Sequence, residues 1–209
     1  MSVEELKHPG INLGQTDPQS HAEAEEVVFG FWVFMMSDVV VFSLLFAVFG
    51  TMITATAGGP GGHALFDIKS AFEETVVLLV SSFTFGMASL AMKYGEDRKV
   101  GWLAFWLVAT LVLGLSFIGL ELRDFVQLID KGDGPDRSGF LSAYFALVAT
   151  HGIHVTAGCV WIAVMVIQSF VFGITREVKT RILRLGLFWH FLDVIWVTIF
   201  SFVYLRGIV

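Results

Sequence analysis

Residues 140–172 read FLSAYFALVATHGIHVTAGCVWIAVMVIQSFVF, a run without a single Asp, Glu, Lys or Arg. A helix needs about 20 predominantly apolar residues to cross the hydrocarbon of a bilayer. This run is longer than that, so it requires tilt, a kink or a protruding end. Four further stretches meet the same rule: Val27 to Ile53, Phe72 to Met92, Gly101 to Leu122, and Leu185 to Leu205. Between them lie turn-forming connectors such as Gly58-Gly59-Pro60-Gly61-Gly62 and Gly132-Asp133-Gly134-Pro135-Asp136. The reading is an all-α integral membrane bundle of five transmembrane helices over residues 27–209, preceded by a polar segment, residues 1–26.

The totals agree with that reading. The chain has 209 residues, 56% hydrophobic and 15% charged, where a soluble domain carries about a quarter charged residues. Most of its surface must therefore face lipid. A single cysteine, Cys159, excludes an internal disulfide, a zinc ribbon, covalent c-type haem attachment and a two-cysteine copper centre. The net charge of -6 argues against a nucleic-acid partner, which calls for a basic face. Met1 to Glu26 lacks the apolar core and small-residue cleavage site of a signal peptide. The N-terminus is thus expected to be retained, with the first helix as its own insertion signal.

Pro9, Pro18, Pro60 and Pro135 all fall outside the expected spans, so the helices should be largely continuous. Continuous helices, an odd span number and the lack of an internal repeat count against a transporter built on broken half-helices. Orientation follows from the bias of Lys and Arg toward the cytoplasm. Lys7, Lys93, Arg98, Lys99, Arg176, Lys179, Arg181 and Arg184 fall on the N-terminal side. Lys69, Arg123, Lys131, Arg137 and Arg206 fall on the other. The balance places the N-terminus in the cytoplasm and the C-terminus in the periplasm.

Ionisable groups inside spanning helices are costly and therefore informative. Asp38 lies near the centre of the first span, His151 and His154 in the middle of the fourth, His190 and Asp193 in the middle of the fifth. Residues three apart share a helix face, so His151 should point with His154, and His190 with Asp193. Their common depth suggests one interior cluster, read as an interhelical polar clamp, with a proton-handling or ligand site as the alternative. His151 and His154 cannot be trans axial ligands of one haem; a bis-His haem would need His190 opposite one of them. The Glu-x-x-His pairs of carboxylate di-iron bundles are missing. Glu121 ends the expected third span beside Arg123 and Asp124 and is read as an interfacial carboxylate paired to a nearby base. Ser82-x-x-x-Gly86 and Thr110-x-x-x-Gly114 are small-residue pairs that permit close helix approach. No phosphate loop, zincin motif or serine nucleophile elbow is present.

Three segments also resemble a known pattern. Trp32-Val33-Phe34-Met35-Met36-Ser37-Asp38, Thr150-His151-Gly152-Ile153-His154-Val155-Thr156-Ala157-Gly158 and Trp189-His190-Phe191-Leu192-Asp193-Val194-Ile195-Trp196 resemble, in that order, signature segments of the haem-copper oxidase subunit III family. The resemblance runs from Val27 to the C-terminus. Many cytochrome c oxidase members have seven helices. The five-helix form, with Gly134-Pro135-Asp136-Arg137-Ser138-Gly139-Phe140 before the fourth helix, is similar to the cytochrome bo-type ubiquinol oxidase branch. The resemblance implies an accessory subunit of the bacterial inner membrane, in a complex that oxidises ubiquinol, reduces oxygen to water and pumps protons. Haem and copper would then belong to partner subunit I, with subunits II and IV and phospholipid as further partners. This chain would hold no cofactor, no metal and no catalytic residue. The family position matching Asp38 carries a buried acid that reacts with carbodiimide when it is Glu. His151, His154, His190 and Asp193 carry over as signature residues of structural role. The alternatives are subunit III of a cytochrome c oxidase and a stand-alone haem-binding membrane cytochrome using His190.

Overall fold

The computed structural model describes residues 18–59, 61–65, 68–94 and 100–205. Among the described residues there are six α-helices: α1 Pro18–Met52, the single turn α2 Gly62–Leu65, α3 Ile68–Tyr94, α4 Val100–Asp130, α5 Gly139–Phe172 and α6 Arg176–Ile199. A π-helical stretch, Phe200–Leu205, continues α6. Five of these helices are long and apolar enough to cross a membrane, and no strand occurs among the described residues. The helices differ from the expected spans at their ends. α4 continues through Glu121, Arg123 and Asp124 to Asp130, and α6 begins at Arg176 rather than Leu185. Apolar content sets the part of a helix that lies in lipid, whereas backbone hydrogen bonding carries the helix on through polar residues until a cap stops it.

Those caps are legible in the sequence. At the end of α4, Asp133 N–H donates to Leu128 O (3.0 Å) and Gly132 N–H to Ile129 O (2.9 Å). This is the paired closure that needs a left-handed residue after the helix, and Gly132 supplies it at φ 80°. Asp133 then pairs with Arg137, and Ser142 donates to the carbonyl of Pro135, which folds the short connector onto the start of α5. Ser138 caps α5 by accepting from Leu141 N–H at 3.2 Å. Thr175 caps α6 by accepting from Val178 N–H, with Glu177 in the first turn.

α3 packs on α4, α4 on α5, and α5 on both α6 and α1; α6 also touches α3 and α1. α1 contributes one narrow seam, Met35, Phe42 and Phe49, all at most 4% exposed and seven residues apart. α4 contributes Leu103, Leu107, Thr110, Gly114, Phe117 and Glu121, the three-and-four spacing of one helix face. Trp189 of α6 is 1% exposed and sits in a slot between two glycines. A Cβ at Gly114 would lie 2.8 Å from the Trp189 ring and 2.8 Å from Cys159 Sγ, and one at Gly158 would lie 2.9 Å from the same ring. The indole N–H of Trp189 donates to Ser81 Oγ at 3.1 Å. Thr110-x-x-x-Gly114 is therefore used inside the bundle, and Thr110 also hydrogen-bonds Thr84 across to α3 at 2.8 Å.

Candidate functional site

The ionisable groups singled out in the sequence do not gather into one cluster. His151, on α5, is fully buried in an aromatic box. Trp196 stacks on it with ring centroids 5.3 Å apart, Phe117 meets it edge-on at 5.7 Å and Phe42 at 6.4 Å. Neither ring nitrogen of His151 has a hydrogen-bond partner. His154 shares its face, as the spacing required, because Phe42 also packs against it at 5.2 Å. Its Nδ1–H, however, donates to the Thr150 carbonyl one turn back, at 2.7 Å, instead of to a carboxylate. Asp38 is half-buried on α1 and makes no hydrogen bond or ion pair among the described residues.

His190 and Asp193 do meet: Nδ1 lies 3.5 Å from Asp193 Oδ2, and a hydrogen bond of 2.8 Å joins Nδ1 to Ser82 Oγ of α3. Phe85 of α3 stands edge-on to the ring at 5.9 Å. Serine and aspartate thus address the same nitrogen. A nucleophilic triad needs them on opposite nitrogens of the imidazole, so this trio ties α3 to α6 and does not activate Ser82. Among the described residues, no three His, Cys, Asp or Glu side chains come together as a metal-ligand set.

Glu121 departs from expectation. Because α4 continues past it, the carboxyl is turned inward and is 5% exposed, with neither oxygen hydrogen-bonded. It rests on the bare backbone of Gly152, where a Cβ would lie 3.1 Å from Oε1. Arg123, the expected partner, turns outward to Asp124 at 3.4 Å and to Ser70 of α3 at 3.1 Å. Successive helix residues point about 100° apart, which is why one of them faces in and the other out.

Sequence reading missed a second buried acid, Glu74 of α3, which is 1% exposed with Oε1 unpartnered. The signal was available: Glu74 falls in the three-and-four spacing of Ala71, Leu78, Ser81 and Phe85, the buried face of α3. Glu74 lies in a polar layer with Thr75, which accepts from the Trp196 indole N–H at 3.0 Å. Tyr144 and Tyr204 join hydroxyls at 2.9 Å in the same region. The π-helical turn rotates the residues after Ile199 away from their α-helical positions, and Tyr204 lies within it. Above this layer a cavity of about 120 Å³ is lined by Ser70, Arg123, Gln127, Lys131, Tyr144 and Tyr204. At the opposite end a groove of about 750 Å³ runs between Val27 of α1, the end of α5 and the start of α6, with Phe172, Arg176, Arg181 and Arg184 also in its walls.

Comparison with known proteins adds to this geometry. The family model described as cytochrome c oxidase subunit III matches residues 18–208. The chain is 48% identical over 188 residues to cytochrome bo(3) ubiquinol oxidase subunit 3 of Pseudomonas putida, covering 90% of this chain and 89% of that protein. It is 43% identical over 196 residues to the protein of the same name from Pseudomonas aeruginosa, covering 93% and 92%. It is 40% identical over 181 residues to quinol oxidase subunit 3 of Bacillus subtilis, covering 87% of each.

Proposed function

This chain belongs to the cytochrome c oxidase subunit III family, and from that premise we propose that it serves as the accessory subunit III of a proton-pumping ubiquinol oxidase. The observation that carries the choice of electron donor is its likeness, over nearly the whole length of both chains, to proteins named as ubiquinol or quinol oxidase subunits. The geometry fits an accessory role. Four polar pairs join helices: Ser82 to His190, Thr84 to Thr110, Thr75 to Trp196, Tyr144 to Tyr204.

In this reading the haem and copper that carry oxygen reduction belong to subunit I, and subunits II and IV complete the complex. This chain contributes apolar surface for packing against them and holds no reacting group. It crosses the bacterial inner membrane with its N-terminus in the cytoplasm, following the Lys/Arg asymmetry. Lys7, Arg98, Lys99 and Arg206, which count toward that asymmetry, lie outside the described residues. Phospholipid is a further partner. The groove at the start of α6 combines Arg176, Arg181 and Arg184 with the apolar Val27 and Phe172, which suits an anionic headgroup above acyl chains.

The test is purification through a tag on this chain in mild detergent, read by mass spectrometry and visible absorption. A haem-containing complex with subunits I, II and IV that oxidises quinol is the expected result. A chain that emerges with no other oxidase subunit, or that carries haem when alone, refutes the proposal.

A further inference from the structure

Glu74 stands near the start of α3 and Glu121 in the last third of α4. At the rise of an α-helix, they lie about 9 Å and about 14 Å from the same end of the bundle. They share one interior layer, because the Glu121 carboxyl is within electrostatic reach of Glu74 and of Asp124. Glu121 is kept there at a cost, with both oxygens buried against Gly152 and neither hydrogen-bonded. An apolar side chain would fill the same place without that cost.

The charges around the two acids leave room for one more positive charge. α3 brings Glu73 beside Glu74, and α4 brings Asp124 and the guanidinium of Arg123. Arg123 is half-exposed and already engaged by Asp124 and Ser70. One guanidinium cannot neutralise Glu74, Asp124 and Glu121 together. α5 brings the Tyr144 hydroxyl and the π-helical stretch that of Tyr204, both within electrostatic reach of the two acids. His151, further along α5, stays enclosed by aromatic rings, and α6 presents the Trp196 indole, bound to Thr75. Two carboxylates buried together repel each other, and one proton taken up between them removes that repulsion. Among the described residues they join no set of three side chains that would hold a metal.

A route for a proton is present as well. The cavity of about 120 Å³ has exposed Gln127 and Lys131 in its wall, and also the buried Tyr144 and Tyr204. The two hydroxyls are 2.9 Å apart and either can be the donor, so the pair can pass a proton by exchanging roles.

We propose that Glu74 and Glu121 form a proton-binding site, loaded from the α4–α5 connector end through this cavity and the Tyr144–Tyr204 hydroxyl pair. The step is a proton transfer alone: hydronium gives its proton to a carboxyl oxygen and leaves as water. Arg123 acts on Glu74, so Glu74 stays the carboxylate and Glu121 holds the proton. The site is built by this chain's own helices and does not depend on which complex the chain joins.

The test is infrared difference spectroscopy of the complete complex in sealed vesicles, wild type minus Glu121→Gln, with the pH changed on one side at a time. The expected result is one C=O band of a protonated carboxyl that shifts in D2O and is lost in Glu121→Gln. That band weakens when the pH is raised on the connector side. A difference spectrum without the band, or a band that ignores the pH on the connector side, overturns the proposal. Glu74→Gln keeps it falsifiable if Glu121→Gln does not assemble. It removes the neighbouring charge and should move the band in frequency, whereas an unmoved band overturns the pairing. Tyr144→Phe with Tyr204→Phe should slow hydrogen–deuterium exchange of the band, and an unchanged rate overturns the route.

Discussion

The slot that holds Trp189 allows a quantitative test. Gly114→Ala and Gly119→Ala make the same chemical change in the same helix, α4, and each gains about 1 kcal/mol of helix propensity. That gain cancels between them. At Gly119 the new methyl meets nothing within 4 Å, whereas at Gly114 it would lie 2.8 Å from both Cys159 Sγ and the Trp189 ring. Ordinary contact begins at 3.4 Å, so the neighbours must yield by about 0.6 Å. Trp189 has little room to yield, because Gly158 bounds its other side and Ser81 holds its indole N–H. Overpacking of a tight core costs about 1–3 kcal/mol, and a ring bounded on both sides belongs toward the upper end, about 2–3 kcal/mol. For a chain of this length that corresponds to roughly 4–12 °C in Tm. Adding Cys159→Ala removes one of the two collisions and should return about half of the loss. The assay is thermal or SDS-induced unfolding in mild detergent, followed by tryptophan fluorescence. If Gly114→Ala and Gly119→Ala agree within about 0.5 kcal/mol, the slot does not constrain Trp189 and the reasoning is wrong.

Tyr144→Phe removes the 2.9 Å hydroxyl contact between Tyr144 and Tyr204 and should cost about 0.5–1.5 kcal/mol; the double variant with Tyr204→Phe should cost less than the sum of the two single changes, and unfolding of all three variants decides. Glu121→Met replaces a buried, unpartnered carboxyl with an apolar chain of similar length and should stabilise the isolated chain by about 1–3 kcal/mol. A lower unfolding midpoint would instead mean that the carboxyl is satisfied within the chain itself and would refute this reading. Asp38→Asn should shorten the turnover lifetime of the complete oxidase if the half-buried acid assists proton delivery. Unchanged lifetime and unchanged pumping stoichiometry would remove Asp38 from that role.

The membrane fold was legible because lipid imposes a length and a composition on every spanning helix, and the run at 140–172 meets both without a charged residue. Helix ends were less legible. Gly132 and Thr175 mark them chemically, yet the hydropathy that defines a span fades before the helix stops. The site was legible only by residue pair. Spacing by three correctly put His190 beside Asp193 and placed His151 and His154 along Phe42. Depth alone could not say which helices would face each other, so the single expected cluster resolved into an aromatic box, a backbone cap and a trio on α3 and α6. Glu121 was misread because its position was judged from the end of the apolar run; once α4 is carried on to Asp130, its phase turns the carboxyl inward.

The order of the chain and the order of its contacts are not the same, and this has a consequence for biogenesis. α3 packs on α4 and α4 on α5, so each of these helices meets its neighbour as soon as the next segment is made. Glu74 and Glu121, both buried, sit on helices whose covering partners follow directly in the chain. α1 is made first, yet its partners α5 and α6 come last. It must wait in lipid while most of the protein is synthesised. Its inward seam of Met35, Phe42 and Phe49 is apolar throughout and tolerates that wait. Asp38 beside it is the one carboxyl of that seam region exposed to the delay, so variants at Asp38 are expected to act on the yield of assembled subunit as well as on the finished complex.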